Sequence, residues 1–183
     1  VVDPRRAGLA AKAHHWLRVR PGTDAALALS LTHVMIENGW FDSAFVRRWT
    51  NAPLLVRADT GRLLRGNDVS RDGDPAHHVA WDEVGGQPVG YDPARGRHAV
   101  DEERLALFGV HEVATSSGSL TCRPVFDLVA GTCRHFEPAV AEVITGVPTA
   151  TIEQTARTLW ESRPVAFYAW SGLEQHGNAT QTV

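Results

Sequence analysis

The sequence is poor in cysteine, lysine and methionine, and it has no long apolar run. Its 183 residues include two cysteines, one methionine and one lysine beside 17 arginines. Two cysteines are too few for an iron–sulfur cluster or a four-thiolate zinc site held within this stretch. No apolar run approaches the ~20 residues of a membrane-spanning helix. The formal net charge of −3 argues against a general binder of nucleic acid or of anionic membranes.

The length and the two ends predict an internal piece of a longer protein. The chain begins on Val1 with what reads as the end of a buried strand, and it ends at Val183 within a predicted helix start. The fold class that we predict is α/β, with pieces of a parallel-sheet, dinucleotide-binding type of domain and an irregular β-rich insertion. We place an α/β segment at residues 1–50, the insertion at 51–135, and the start of a second α/β segment at 136–183.

Hydrophobic spacing predicts the regular elements. A helix is expected over 25–38, capped by Thr23 or Asp24 and ended by Gly39. We expect this helix to pack on a sheet. The continuous apolar run 165–170 predicts a central strand of a parallel sheet, buried on both faces. Short alternating segments predict, within the insertion, a hairpin at 54–64 with its turn at 59–61, strands at 78–81 and 88–91, and a second hairpin at 111–122. Three more helices are expected toward the end of the chain, at residues 125–130, 138–145 and 152–162.

Polar clusters follow the predicted strands at residues 3–5, 21–24 and 172–176. Open α/β sheets bind ligands at the carboxyl ends of their strands, where loops and helix N-termini present unpaired N–H groups. An aspartate there can accept from ribose hydroxyls or a base, and an arginine can neutralise phosphate. The alternative for Thr23 and Asp24 is a simple helix cap, and Asp-Pro-Arg alone is a common strand exit. The third cluster places Glu, Gln and His after a buried strand, which favours a site.

Six short motifs in order along the chain resemble the molybdopterin oxidoreductases of the dimethyl sulfoxide reductase family. They read VDPRR at 2–6, RPGTDAAL at 20–27, HVMIENG at 33–39, FVRRWT at 45–50, TGVP at 145–148 and GLEQH at 172–176. The resemblance implies an enzyme whose cofactor is molybdenum bis(molybdopterin guanine dinucleotide), and occasionally tungsten in place of molybdenum. The full-length protein would transfer an oxygen atom or a hydride, coupled to electron transfer.

The resemblance also implies which residues bind the cofactor. The guanosine end would be contacted by Asp3, Arg5, Thr23 and Asp24, and the pterin side by Gly172, Glu174, Gln175 and His176. The catalytic residues, the metal ligand and any iron–sulfur cluster would lie outside this stretch, so we expect the stretch alone to be inactive. Cys122 and Cys133 are expected to be ordinary thiols, and no residue here is expected to bind metal.

The resemblance implies a small-molecule substrate and allows one kind of partner, an electron-transfer subunit, whereas nucleic acid and a transmembrane segment are not expected. An alternative is a stand-alone nucleotide- or flavin-binding α/β domain, but the sequence has no Gly-x-Gly-x-x-Gly motif after a strand. A non-catalytic interaction module would instead show an exposed apolar groove and no converging polar loops. Localisation stays open between cytoplasm and periplasm, because an export signal would lie upstream.

Overall fold

The computed structural model describes residues 1–169 and 171–174, and the description excludes the side chains of residues 171 and 174. The helices are α1 Asp24–Glu37, α2 Ser43–Trp49, α3 Gly66–Val69, α4 Val125–Arg134, α5 Pro138–Thr145, α6 Thr149–Glu161 and α7 Ser171–Glu174. The strands are β1 Leu55–Arg57, β2 His78–Asp82, β3 Gln87–Asp92, β4 Arg97–His98, β5 His111–Thr115 and β6 Gly118–Pro124. Two 3₁₀ turns occur at Gly8–Ala11 and Glu102–Arg104. Among the described residues, no helix has both the length and the apolar character that crossing a membrane requires.

The chain divides into two compact units. Among the described residues, unit 1 comprises residues 1–41, 130–169 and 171–174, and unit 2 comprises residues 42–129. Unit 1 is helical with a short extended segment, and unit 2 contains all of the described strands. The architecture is therefore mixed α/β, with small antiparallel sheets.

Unit 1 is built around α1, whose bounds lie within one residue of those predicted. Its buried residues Ala26, Leu27 and Val34 lie on one face, and Gly39 takes the left-handed conformation (φ 66°) just beyond the helix end. The helix packs against α5 and α6, not on a sheet as expected. The core that they share consists of Leu17, Val19, Leu27, Val34, Ala141, Val147, Ile152 and Ala156.

The prediction of a buried parallel strand at 165–170 is wrong for the described part, residues 165–169. These residues form no strand, and Phe167 and Tyr168 are 83% and 86% exposed. A parallel strand needs a neighbour with unpaired N–H and C=O groups. The described part of unit 1 offers only one isolated parallel bridge, between Val2 and Leu17. Residue 170 lies outside the described residues.

Unit 2 contains two three-stranded antiparallel sheets, ordered β1-β6-β5 and β2-β3-β4. The predicted strands at 78–81 and 88–91 are confirmed as β2 and β3, which pair with each other, and the predicted hairpin at 111–122 is confirmed as β5–β6. The predicted hairpin turn at 59–61 is confirmed by the bridge between Val56 and Leu63. Two small apolar clusters fill the unit. The first contains Leu55, Leu64, Val79, Val113 and Cys122, and the second contains Ala80, Val89 and Leu105.

A buried ion pair ties the β2–β3 turn to the turn Glu102–Arg104. The Asp82 carboxylate is fully buried and accepts two bonds from the Arg104 guanidinium. It also accepts from the backbone N–H of Val84 at 3.0 Å. The Arg104 guanidinium holds the pKa of Asp82 below its usual range, so the carboxylate stays charged and fully bonded in the fold.

Candidate functional site

Asp3 lies at the end of a short extended segment in unit 1. Leu17 N–H donates to the carbonyl of Val1 at 2.9 Å, and Asp3 N–H donates to the carbonyl of Leu17 at 3.2 Å. Oδ1 of Asp3 accepts from the N–H of Arg5 at 2.6 Å, which turns the chain sharply after the segment. Within the described residues, Oδ2 of Asp3 has no hydrogen-bond partner, so it is available to a ligand.

Trp16 stabilises the Asp3 turn with a hydrogen bond. Its indole Nε1–H donates to the Asp3 carbonyl at 2.8 Å, and the Arg6 guanidinium lies 5.7 Å from the centroid of its ring. The Arg5 side chain is exposed and makes no ion pair or hydrogen bond in the part of the chain that the structure describes. Two neighbouring arginines are thus used differently: Arg6 stacks on the indole, while the charge of Arg5 is free.

The second predicted cluster lies where α1 begins. The Thr23 hydroxyl donates to the Arg20 carbonyl at 2.8 Å, and the Thr23 N–H donates to the same carbonyl at 3.1 Å. The Thr23 carbonyl accepts from the N–H of Leu27 at 3.3 Å, but neither the Thr23 nor the Asp24 side chain accepts from a backbone N–H of the helix, so the predicted side-chain cap is not formed. Asp24 is instead the first residue of the helix, where its negative charge suits the helix dipole. Its carboxylate has no partner among the described residues.

Parallel pairing brings the two clusters to the same edge. Val2 and Leu17 pair in parallel, so the chain runs in the same direction after each of them. The turn at Asp3 follows the first, and the turn that leads to Asp24 follows the second within a few residues. The free Oδ2 of Asp3, the unpartnered carboxylate of Asp24 and the exposed cation of Arg5 therefore follow the carboxyl ends of two parallel segments. In α/β folds this is the edge where nucleotides bind.

Arg20 is a supporting residue that sequence reasoning missed. Its guanidinium Nη1 donates to the carbonyls of Val143 and Ile144, at 2.8 and 3.0 Å, at the C-terminus of α5. Its backbone N–H donates to the carbonyl of Thr145 at 2.9 Å. Gly146 ends α5 in the left-handed conformation (φ 75°), and the Arg20 side chain passes next to it. Arg20 thus joins the RPGTD and TGVP motifs, which are far apart in the sequence.

Replacing Arg20 with glutamine is expected to lower stability, because the last carbonyls of α5 lose a cationic donor. We expect a loss of about 0.5–1 kcal/mol, since the side chain is exposed to solvent. For a protein of this size the melting temperature would fall by about 1–4 °C. Arg18→Gln removes the same charge from an exposed residue without a described partner and is the control. Equal melting temperatures for the two variants would contradict the bonding role.

The third predicted cluster is described only in part. Gly172 lies in α7, and its backbone is exposed. The backbone of Glu174 is also within α7, but its side chain lies outside the description, as do Gln175 and His176 entirely. The pterin-side role of this cluster therefore stays a prediction.

The two cysteines are buried and free. Burial raises the pKa of Cys122 to about 11 and also raises the pKa of Cys133. Both thiols are therefore protonated at neutral pH, whereas a thiolate is the form that reacts and binds metal. No cluster of three or more His, Cys, Asp or Glu side chains suited to a metal ion occurs among the described residues.

Comparison with known proteins shows relatives over the whole chain, although no protein-family model matches it. A sulfite dehydrogenase polypeptide of Allochromatium vinosum is 30% identical, over 100% of this chain and 21% of that protein. The alpha chain of perchlorate reductase from Dechloromonas aromatica is 30% identical, over 90% of this chain and 20% of its own length. The alpha chain of dimethylsulfide dehydrogenase from Rhodovulum sulfidophilum is 26% identical, over 91% of this chain and 18% of its own length. The chain thus spans about a fifth of the length of these relatives.

A solved structure shares the fold. Acetylene hydratase from Pelobacter acetylenicus superposes with a TM-score of 0.56, covering 99% of this chain and 15% of that protein, at 18% sequence identity. The similarity extends over both units, including the β-rich unit 2, in which the sequence motifs are sparse.

Proposed function

Because this chain belongs to the molybdopterin oxidoreductases of the dimethyl sulfoxide reductase family, we propose that unit 1 binds the guanosine end of a molybdenum bis(molybdopterin guanine dinucleotide) cofactor. Asp3, Arg5, Thr23 and Asp24 would form this part of the site. The whole protein would then be an oxidoreductase acting on a small molecule. Its metal ligand and the rest of the cofactor site would come from parts of the protein outside this chain.

One observation supports the proposal most strongly. The parallel bridge between Val2 and Leu17 directs the Asp3 turn and the start of α1 to one edge. The carboxylate of Asp24 and one oxygen of Asp3 have no partner among the described residues, and neither does the Arg5 guanidinium. A cation and two carboxylates that face one edge can together bind a ligand that offers both an anionic group and hydrogen-bond donors.

These groups fit the chemistry of a guanosine diphosphate end. The Asp24 carboxylate can accept from the N–H edge of guanine, as a carboxylate with two free oxygens does for paired donors. Oδ2 of Asp3 can accept from a ribose hydroxyl, and Arg5 can neutralise phosphate. Thr23 has its hydroxyl bonded to the carbonyl of Arg20, so its part is to shape the turn.

The rest of the cofactor carries the reaction. When bound, the molybdenum centre supplies the two-electron redox chemistry by which an oxygen atom or a hydride is transferred. We place Gly172, Glu174, Gln175 and His176 on the pterin side. We also propose that an iron–sulfur cluster and an electron-transfer subunit carry the electrons.

The proposal is tested by the cofactor content of the full-length protein. Asp3→Asn and Arg5→Gln should each lower molybdenum and guanine nucleotide per mole of protein, because each removes one anchor of the guanosine end. Each charge-assisted hydrogen bond contributes about 1.5–3 kcal/mol when desolvated, so we expect each variant to bind the cofactor about tenfold more weakly. Arg134→Gln, an exposed arginine at the end of α4, is the charge-matched control.

Normal cofactor content in both variants would refute the assignment of these residues. Purified protein that carries a flavin and no guanine nucleotide would refute the choice of cofactor and would favour the alternative of a nucleotide- or flavin-binding domain.

A further inference from the structure

Unit 2 contains a cavity of about 440 Å³ that the cofactor proposal does not use. It lies between the end of α2 and the sheet β2-β3-β4, and its size is within the range of small-molecule sites. Its charged lining consists of Arg47 and Arg48, and no Asp or Glu lines it among the described residues. A cavity with arginines and no carboxylate is suited to an anion.

The two arginines are held in place but keep donors free. Nε of Arg47 donates to the carbonyl of Leu105 at 2.7 Å, while its Nη atoms have no partner in the part of the chain that the structure describes. Arg48 is more exposed and makes one ion pair, in which Nη1 lies 3.3 Å from Glu102. Such an exposed pair is weak, so it leaves most of the Arg48 charge available.

Two histidines of the lining add a donor and a buried polar atom. Nδ1 of His78 lies 3.3 Å from Nη1 of Arg65, which can only donate. The neutral His78 ring therefore carries its proton on Nε2. His98 is only 8% exposed, and its Nδ1 is buried without a hydrogen bond among the described residues. Such an atom is unusual in a folded protein.

Two aromatic rings also line the cavity. The Trp49 ring is 68% exposed and lies 5.1 Å from the Arg48 guanidinium, and the Tyr91 ring meets His98 edge to face at 5.1 Å. We propose that this cavity binds a small aromatic carboxylate, whose ring packs on Trp49 and whose carboxylate accepts from Arg47 and Arg48. A cation would be repelled by the two arginines, and a neutral ring would leave the half-buried Arg47 without a counter-charge.

Three probes separate the parts of this proposal in calorimetric titration of the protein. Benzoate has both a ring and a carboxylate, benzamide has the ring without the charge, and inorganic phosphate has the charge without a ring. We expect benzoate to bind one to one in the millimolar range or below, and each of the other two to bind at least about tenfold more weakly. Benzoate binding should weaken as sodium chloride is added, because screening reduces the attraction.

Variants then locate the site. Arg47→Gln should weaken benzoate binding at least about fivefold, a difference of roughly 1 kcal/mol, and Trp49→Ala should weaken it as well. Trp49 is largely exposed, so its replacement leaves the fold intact even if Arg47→Gln does not. Arg62→Gln, an exposed arginine outside the lining, should change little.

The proposal is overturned if benzoate does not bind at about 10 mM, a concentration that detects even weak sites. It is also overturned if benzamide or phosphate binds as well as benzoate, or if Arg62→Gln costs as much affinity as Arg47→Gln. Unit 2 supplies every residue of this site, so the result does not depend on the cofactor proposed for unit 1.

Discussion

Replacement of Asp24 with alanine is expected to remove most of the guanine nucleotide and molybdenum from the full-length protein, if the proposed cofactor binds there. The carboxylate would accept two bonds from the guanine edge, each worth about 1.5–3 kcal/mol in a desolvated site. Affinity changes tenfold for every 1.4 kcal/mol, so the affinity for the cofactor should fall about 100-fold or more. Molybdenum by mass spectrometry and guanine nucleotide by chromatography measure the loss.

Asp42 provides the matched control for Asp24. Oδ1 of Asp42 accepts from the N–H of Phe45 at 2.9 Å, so Asp42 is a true side-chain cap of α2. Asp42→Ala should therefore lower stability by about 1 kcal/mol and leave cofactor content unchanged. Asp24 caps nothing in the structure, so Asp24→Ala should show the reverse pattern.

Asp24→Asn should hold the cofactor at an intermediate level, because the amide keeps one acceptor but points a donor at the donors of guanine. If Asp24→Ala keeps its full cofactor content, Asp24 has no part in binding the cofactor.

Leu17→Ala is expected to be the most destabilising single change in unit 1. Leu17 is 1% exposed, lies in the core with Val19 and Ile152, and belongs to the segment that pairs with Val2. Cutting a buried leucine back to alanine leaves a cavity and costs about 2–5 kcal/mol. The melting temperature should fall by roughly 5–15 °C for a protein of this size.

Leu9→Ala is the control for this change, because Leu9 lies in the same unit and is 78% exposed. It removes the same atoms and should change stability by less than about 0.5 kcal/mol. If the two variants melt at the same temperature, the apolar cluster around Leu17 does not hold unit 1 together.

Local features were predictable from the sequence where neighbours along the chain decide them. The α1 bounds follow from the spacing of Ala26, Leu27 and Val34 and from the freedom of Gly39 to take positive φ. The hairpins of unit 2 likewise follow from alternating segments on either side of short turns. In each case the residues that contact one another are close in sequence, so the local order of apolar and polar residues is enough to predict the element.

The supporting contacts of the site could not be predicted in the same way. Arg20 reaches the carbonyl of Val143, which lies 123 positions along the chain, and Trp16 donates to the carbonyl of Asp3. Every residue has such a carbonyl, so a backbone acceptor leaves no signature in the sequence. The cap expected from Thr23 is absent, and its hydroxyl donates instead to the carbonyl of Arg20, again a backbone acceptor.

The apolar run at 165–170 shows that composition alone does not determine a strand. Its composition is that of a buried strand, but a strand is a property of at least two segments. The described residues provide no strand beside it, so residues 165–169 form no strand, and residues 165–168 are exposed.

The way the chain enters and leaves unit 2 affects how that unit can evolve. The N–H of Phe126 donates to the carbonyl of Ala52 at 3.0 Å, and that of Val125 donates to the carbonyl of Leu54 at 2.9 Å. Residues 52 and 126 are therefore neighbours, although a long stretch of chain separates them. Each doubling in length of a closed loop costs only about 0.6 kcal/mol. Segments between these two points can thus be gained, lost or exchanged over evolutionary time while the entry and exit of the unit stay joined.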